Sequence, residues 1–371
     1  MILVSPQTLA LGCTLLLCAC ASSNAPSHDA SPSRETASPL PKAQQAAHER
    51  TQRWTFPSSI RSLNVLDDRS VAFAGSNGFV GMTHNAGMSW DTARWTAPDG
   101  RHPSFRASAL FPERFFAVSI EDPGHIVEFQ EGLAVSTVRH SDPRSGVFWD
   151  AMAWWNPREG LVFGDPVDGC FALLLTRDGG QTWRQAPCET LPAPLPGEAA
   201  FAASNGNIAL AGDTAWVFTG GVHSRCLRSV DRGGAWEAVE LPIVQGETMT
   251  GVFAADFCDA QRGVAIGGNW EAPSLNENNL VGTRDGGDSW HVLAQGNGPG
   301  YRSCVVHHPV NPSTLVAVGF PGLDVSTDGG QTWQHLSDEP HFTARFAPSG
   351  RTLWLAGADH VEAMTWPPLT P

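Results

Sequence analysis

One short stretch, Thr176-Arg-Asp-Gly-Gly-Gln-Thr-Trp183, recurs along the chain and limits what it can fold into. Ser326 to Trp333 and Thr283 to Trp290 are near copies. Ser229 to Trp236 and Thr83 to Trp90 are looser ones, and the shared form is Ser/Thr-x-Asp-x-Gly-x-Ser/Thr-Trp with Asn85 and Ala235 as departures. An Asp in a tight turn accepts hydrogen bonds from the backbone N–H groups that follow it, and Gly supplies the positive φ such turns need. Apolar, β-prone residues precede each copy and a Trp follows it, so each copy reads as the tip of a β-hairpin. Repetition at a period near that of a propeller blade points to a closed array of such hairpins.

The spacing counts the blades. The Asn85, Asp178, Asp231, Asp285 and Asp328 positions leave one gap, from 85 to 178, about twice the others, which marks a unit whose motif has decayed. A second pattern, a polar residue then a small one then an apolar run, opens at Arg61, Arg106, Asp150, Glu198, Thr250, Arg302 and Thr343. A third marker is a glycine ending the second strand, at 75, 164, 212, 267, 319 and 357. Seven openings predict an all-β, seven-bladed propeller of four-stranded antiparallel blades. The last unit lacks its fourth strand, and Gln52 to Phe56 is an orphan strand; pairing the two closes the ring and removes open edges.

Composition agrees and excludes some partners. The chain has 371 residues with 38 Gly, 28 Pro, 14 Trp and one Tyr, as a turn-rich β protein needs. A formal charge of -14 argues against nucleic acid. Residues 1–19 read as a signal segment with an apolar core ending Leu17-Cys-Ala-Cys20, which resembles a bacterial lipobox with Cys20 as the lipidated residue. Residues 20–51 are Ala, Ser, Pro and polar residues, expected to be a disordered tether, and residues 52–371 the propeller. Ala21 after the lipobox cysteine favours the periplasmic side of the outer membrane, with the lipid as the only membrane contact. Cys170 and Cys188 flank one hairpin and are the best candidates for a disulfide in an oxidising compartment. No Cys/His spacing resembles a metal site, and no haem or nucleotide motif is present, so no metal or cofactor is expected.

In a propeller the first strand of each blade lines the central channel, so the opening residues should ring its mouth. Arg302, Arg61 and Arg106 gather on one side, Asp150 and Glu198 on the other, with Tyr301 beside Arg302 and Asp165 on a neighbouring loop. Such a mouth suits a small anionic ligand or a protein segment. The motifs resemble the Asp-box (BNR) repeats of sialidase-like propellers. Ser-Ile-Arg61-Ser, Ser-Phe-Arg106-Ala, Gly-Tyr301-Arg302-Ser, Phe148-Trp-Asp150-Ala-Met152 and Gly164-Asp-Pro-Val-Asp-Gly169, together with the boxes, resemble the photosystem II stability/assembly factor family across residues 53–365. That resemblance implies a non-catalytic module whose arginine patch, matched here by Arg61, Arg106 and Arg302, binds protein clients; a monomer is expected. The rival reading is a sialidase-like glycoside hydrolase with Asp150 and Glu198 as its carboxylates and Tyr301 as nucleophile, although the Arg-Ile-Pro motif of sialidases is missing.

Overall fold

The structure, a computed structural model, describes residues 51–366; the expected signal segment, Cys20 and nearly all of the expected tether lie outside the described residues. Seven antiparallel sheets follow one another along the chain. Blade 1 is Ile60–Val65, Val71–Gly75, Phe79–Thr83 and Asp91–Arg94. Blade 2 is Phe105–Leu110, Arg114–Ser119, Gly124–Gln130 and Val135–Asp142. Blade 3 begins at Trp149–Asn156, blade 4 at Ile208–Ala211, blade 5 at Thr250–Phe257, blade 6 at Cys304–His307 and blade 7 at Thr343–Phe346. Each first strand packs on the next, and that of blade 7 on that of blade 1, so the ring is closed. As predicted, Thr51–Thr55 supplies the missing fourth strand of blade 7, with Arg53 opposite Glu362 and Thr55 opposite His360.

The Asp boxes are the turns between third and fourth strands. In blade 3, Asp178 Oδ1 accepts from Thr176 Oγ1 and from Thr182 N, both at 2.9 Å, and Oδ2 accepts from Thr182 Oγ1 at 2.6 Å. Thr176 Oγ1 in turn accepts from Gly180 N at 2.9 Å. Gly179 and Gly180 both sit at positive φ, 79° and 82°, which explains the glycines of the motif. The motif Trp then reaches the preceding blade. Trp183 joins a core with Phe116 and Val118 of blade 2, and Trp290 joins one with Trp216 and Phe218 of blade 4. Burial is thus shared among seven inter-blade cores rather than concentrated in one. Blade 2, which lacks a box, turns through Glu131, Gly132 and Leu133, all at positive φ, and buries Leu133 in the core where other blades place Trp. Cys170 and Cys188 form a disulfide, and Cys226, Cys258 and Cys304 are free thiols.

Two registers differ from expectation. Glu198 does not open blade 4: Glu198–Ala199 is a short strand paired with Gly220–Gly221, which extends the inner edge of blade 5. Blade 4 opens after Asn205-Gly206, so Gly212 lies in its first hairpin turn rather than at the end of its second strand. The longer spacing on either side of Glu198 was an inserted segment, not a stretched blade.

Candidate functional site

The inner strands of blades 1, 2, 3 and 5 each carry a β-bulge near their start, between Ile60 and Ser62, Phe105 and Ala107, Trp149 and Ala151, and Val252 and Ala254. A bulge adds one residue to a strand and re-aims its side chain. The bulged residues are Arg61, Arg106, Asp150 and Phe253. Sequence reasoning therefore found three of the four, and placed the blade 5 opening three residues early at Thr250.

These residues meet across blades. Arg61 lies with its guanidinium carbon 3.9 Å from the centre of the Phe342 ring, from the connection entering blade 7. Burial, and the positive charge of Arg106 nearby, push the Arg61 pKa down to about 10. Arg106 is also held below its ordinary value by burial, against the pull of Glu121 and Asp150. Among the described residues, neither Arg61 nor Arg106 makes an ion pair at contact distance. Asp150 is fully buried, and neither of its carboxylate oxygens has a hydrogen-bond partner. The backbone N–H groups of Asp165 and Ala202 face it without hydrogen-bonding geometry, and burial with the Asp165 charge raises its pKa well above the ordinary range. Asp165 accepts from Ala200 N at 2.7 Å, yet burial raises its pKa to about 6.

The floor of the mouth is the segment inserted before blade 4. Ser204 O accepts from Thr343 Oγ1 and from Arg345 Nη2, both at 3.1 Å, tying it to blade 7. Asn205 Oδ1 accepts from Met152 N of blade 3 at 2.8 Å, and its Nδ2 donates to Ser108 O of blade 2 at 3.0 Å. Asn205 holds φ 55°, a left-handed conformation that Asn tolerates better than most residues. The channel is therefore a cup at this end. No motif announced the plug; the only signal was the lengthened repeat around Glu198.

An aromatic wall rises from the same cup. Phe201 stacks on Phe253 at 4.0 Å, Phe253 meets Tyr301 edge-on at 4.8 Å, and Tyr301 packs on Phe320 at 5.1 Å. Tyr301 is buried and its pKa is raised by that burial, with Arg61 pulling the other way.

Glu198 and Arg302 do not join this cluster. Glu198 receives Arg225 Nη2 at 2.6 Å, Thr219 Oγ1 at 2.6 Å and Leu195 N at 2.9 Å, which uses both of its oxygens. Arg302 precedes the channel-facing place of blade 6 by one residue: Ser303 N donates to Val318 O and Cys304 pairs with Val318. A one-residue offset sends a side chain to the opposite face of a strand. Arg302 consequently lies buried against Asp324 of its own blade, with Nε 2.7 Å from Oδ2. Two surface hollows, of about 510 and 890 Å³, lie on the Asp-box rim beside Leu133 and Asp328 respectively, away from the cup.

Fold and boxes define the class: an Asp-box seven-bladed β-propeller, and residues 324–335 match the BNR/Asp-box repeat family. Solved propellers of the same architecture include a photosystem II assembly factor, YCF48. The structure of YCF48 bound to D1 peptide superposes with a TM-score of 0.61 at 15% identity, covering 85% of this chain and 97% of that one. YCF48 from Cyanidioschyzon merolae gives 0.60 at 14% identity, covering 86% and 100%. The GH74 enzyme of Niastella koreensis gives 0.58 at 13% identity, covering 82% of this chain but 52% of the enzyme. Likeness at such identities speaks for the fold. No curated protein matches the chain in sequence.

Proposed function

We propose that this chain is an exported, lipid-anchored binding module that holds a protein segment or small anionic ligand in the cup around Arg61, Arg106, Asp150 and Asp165. The observation that carries the reading is the pair of largely buried guanidinium groups, Arg61 and Arg106, near enough for the charge of Arg106 to act on Arg61 and without an ion-pair partner among the described residues. Desolvated cations of like sign raise each other's energy, and a carboxylate placed between them removes that cost. The aromatic wall supplies apolar contact beside the charge, as peptide grooves do. The fold shared with YCF48, solved with a peptide bound, supports a protein client. Cys20 as lipid anchor, the 20–51 tether, the outer-membrane periplasmic location and the monomeric state belong to the same proposal and rest on the sequence alone.

A crosslinking pull-down from envelope extract tests it. The Arg61→Ala/Arg106→Ala double variant should lose its partners while remaining folded, and the proposal fails if it retains every one.

A second reading has one observation in its favour: Asp150 and Asp165 lie close together, both with raised pKa values, as an acid/base pair would. It replaces Glu198, which Arg225 and Thr219 occupy. Turnover of any fluorogenic glycoside that disappears in Asp165→Asn would establish the hydrolase reading over the binding one.

A further inference from the structure

Blade 7 buries a cluster that the cup does not use. His360 and Glu362 lie two apart on the strand His360–Thr365 and so share a face, and His341 comes from the connection between blades 6 and 7. One donor atom from each lies within 4.8 Å of the others, and all three residues are buried. His341 Nε2 is 3.1 Å from Glu362 Oε2. Two ligands on one tetrahedral zinc ion are held about 3.3 Å apart, given metal–ligand distances of about 2.0–2.2 Å. That pair already stands at the required separation. His360 Nε2 is buried with no hydrogen-bond partner, which is costly for an imidazole unless something takes up its lone pair.

We propose that His341, His360 and Glu362 form a binding site for a divalent transition-metal ion of the zinc type. An N₂O donor set of two imidazoles and one carboxylate suits such an ion and leaves a fourth position open. The surroundings supply the second shell. Asp359 Oδ1 and Arg53 Nη2 both lie 3.0 Å from His360 Nδ1; metal binding through Nε2 selects the tautomer in which Nδ1 donates to Asp359, at the expense of the Arg53 contact. Arg53 Nη1 donates to Glu362 Oε1 at 2.9 Å, leaving Oε2 free of the guanidinium. Glu339, Asp359 and Glu362 set three negative charges against the one positive charge of Arg53, a local excess of two that a divalent ion neutralises. Coordination through His341 Nε2 moves that ring's proton to Nδ1, with no net change in its charge.

The position gives the ion a role. His341 belongs to the chain entering blade 7, His360 and Glu362 to its third strand, and Arg53 to the strand that closes the ring. A bound ion staples the seam at which the ring is closed, so binding should stabilise the whole fold. No local pattern marks the cluster, because His341 and His360 stand 19 residues apart without a metal-site spacing.

The full-length protein, stripped with chelator and titrated with ZnCl₂ in a calorimeter, should take up about one equivalent and melt at higher temperature with Zn²⁺ than without. Glu362→Gln and His341→Gln should each weaken Zn²⁺ binding by about 100-fold or more and abolish the thermal shift. Cys258→Ser, which removes the half-exposed thiol beside Asp259, should change neither. Co²⁺ in place of Zn²⁺ should give the visible bands of a tetrahedral site without a thiolate charge-transfer band, a result that needs no variant to fold. Absence of saturable binding overturns the proposal. So does binding that survives both ligand substitutions, that is lost with Cys258→Ser, or that carries the thiolate band.

Discussion

Aspartates at the two rims of this propeller do opposite things. On the box rim, Asp178 accepts three hydrogen bonds from its own hairpin, led by the Thr182 side chain and backbone, and its pKa falls to about 2. In the cup, Asp150 accepts none and burial drives its pKa up, while Asp165 rises to about 6. The arginines divide in the same way: Arg302 is buried on Asp324, and Arg61 lies under the like charge of Arg106. Asp178 and Arg302 are both satisfied within their own blade, Asp178 by residues of its own turn and Arg302 by Asp324 on a neighbouring strand. In the cup, Arg61, Arg106 and the blade 3 carboxylates come together from three blades once the ring has closed; neither arginine has an ion-pair partner among the described residues, and Asp150 has no hydrogen-bond partner. Folding stability is drawn from the first group, and the second is held in place at its expense, as expected of a binding site.

Breaking one arginine of each kind gives the largest contrast. Arg302→Ala leaves the Asp324 carboxylate buried with only His335 beside it, at 3.0 Å, and should cost about 3–5 kcal/mol. Arg61→Ala removes a desolvated cation without an ion-pair partner and should cost less than about 1 kcal/mol, or stabilise. Urea midpoints of the two variants decide it. Equal losses would mean that the cup charges are structural after all.

The pH dependence should also differ in sign between the rims. Asp165 binds its proton more tightly folded, with a pKa of about 6, than unfolded, near 3.8. Between those values the folded state holds more protons, so stability falls as pH rises from about 4 to 6 and stays lower above. The change is on the order of 2–3 kcal/mol, and Asp165→Asn should flatten it while keeping the carbonyl that accepts from Ala200 N. For Asp178 the folded pKa is the lower one, so its contribution is present above 3.8 and is lost as pH falls toward 2. Thermal melts of wild type and Asp165→Asn across this range should diverge above pH 4; parallel curves would remove Asp165 from the group of strained cup residues.

How much of this could be read from the sequence follows from the same division. Blade number, the decayed box and the closing strand were legible because the boxes are local and their spacing is a ruler. The cup was legible where one inner strand is repeated faithfully, which gave Arg61, Arg106 and Asp150. It failed where a blade adds residues. Glu198 has the right neighbours for an opening position, but the segment through Asn205 is an insertion that plugs the channel. Arg302 was misjudged by a single residue, which on a strand is enough to turn it from the channel to Asp324. The aromatic wall and the His341, His360 and Glu362 cluster join residues from different blades or strands, and no local pattern marks such encounters.

Within the box rim a smaller test sharpens what the motif contributes. Asp178→Ala deletes an acceptor for two donors on Thr182 and one on Thr176, all near the surface where water replaces part of the loss. A cost of about 1–2 kcal/mol is expected, with the cup and its binding unaffected. A variant that loses partner binding without losing stability would tie the box rim to function and undo the separation of the two faces.

The smallest expected effect concerns the box that departs from the pattern. Asn85 reproduces the essential contacts, since its Oδ1 accepts from Thr83 Oγ1 and from Ser89 N, both at 2.9 Å. Where Asp178 Oδ2 accepts a hydroxyl proton from Thr182, Asn85 Nδ2 donates to Ser89 Oγ at 2.8 Å, so the hydrogen bond is kept and only its direction reversed. Asn85→Asp should therefore change stability by less than about 0.5 kcal/mol at neutral pH. If the motif works through hydrogen-bond geometry, as the structure of all five boxes implies, the carboxylate has little to add. A gain of 1 kcal/mol or more (roughly the value of a full hydrogen bond) would show that negative charge at the turn contributes in its own right, and would make the decay of the blade 2 box a loss of electrostatic as well as geometric support.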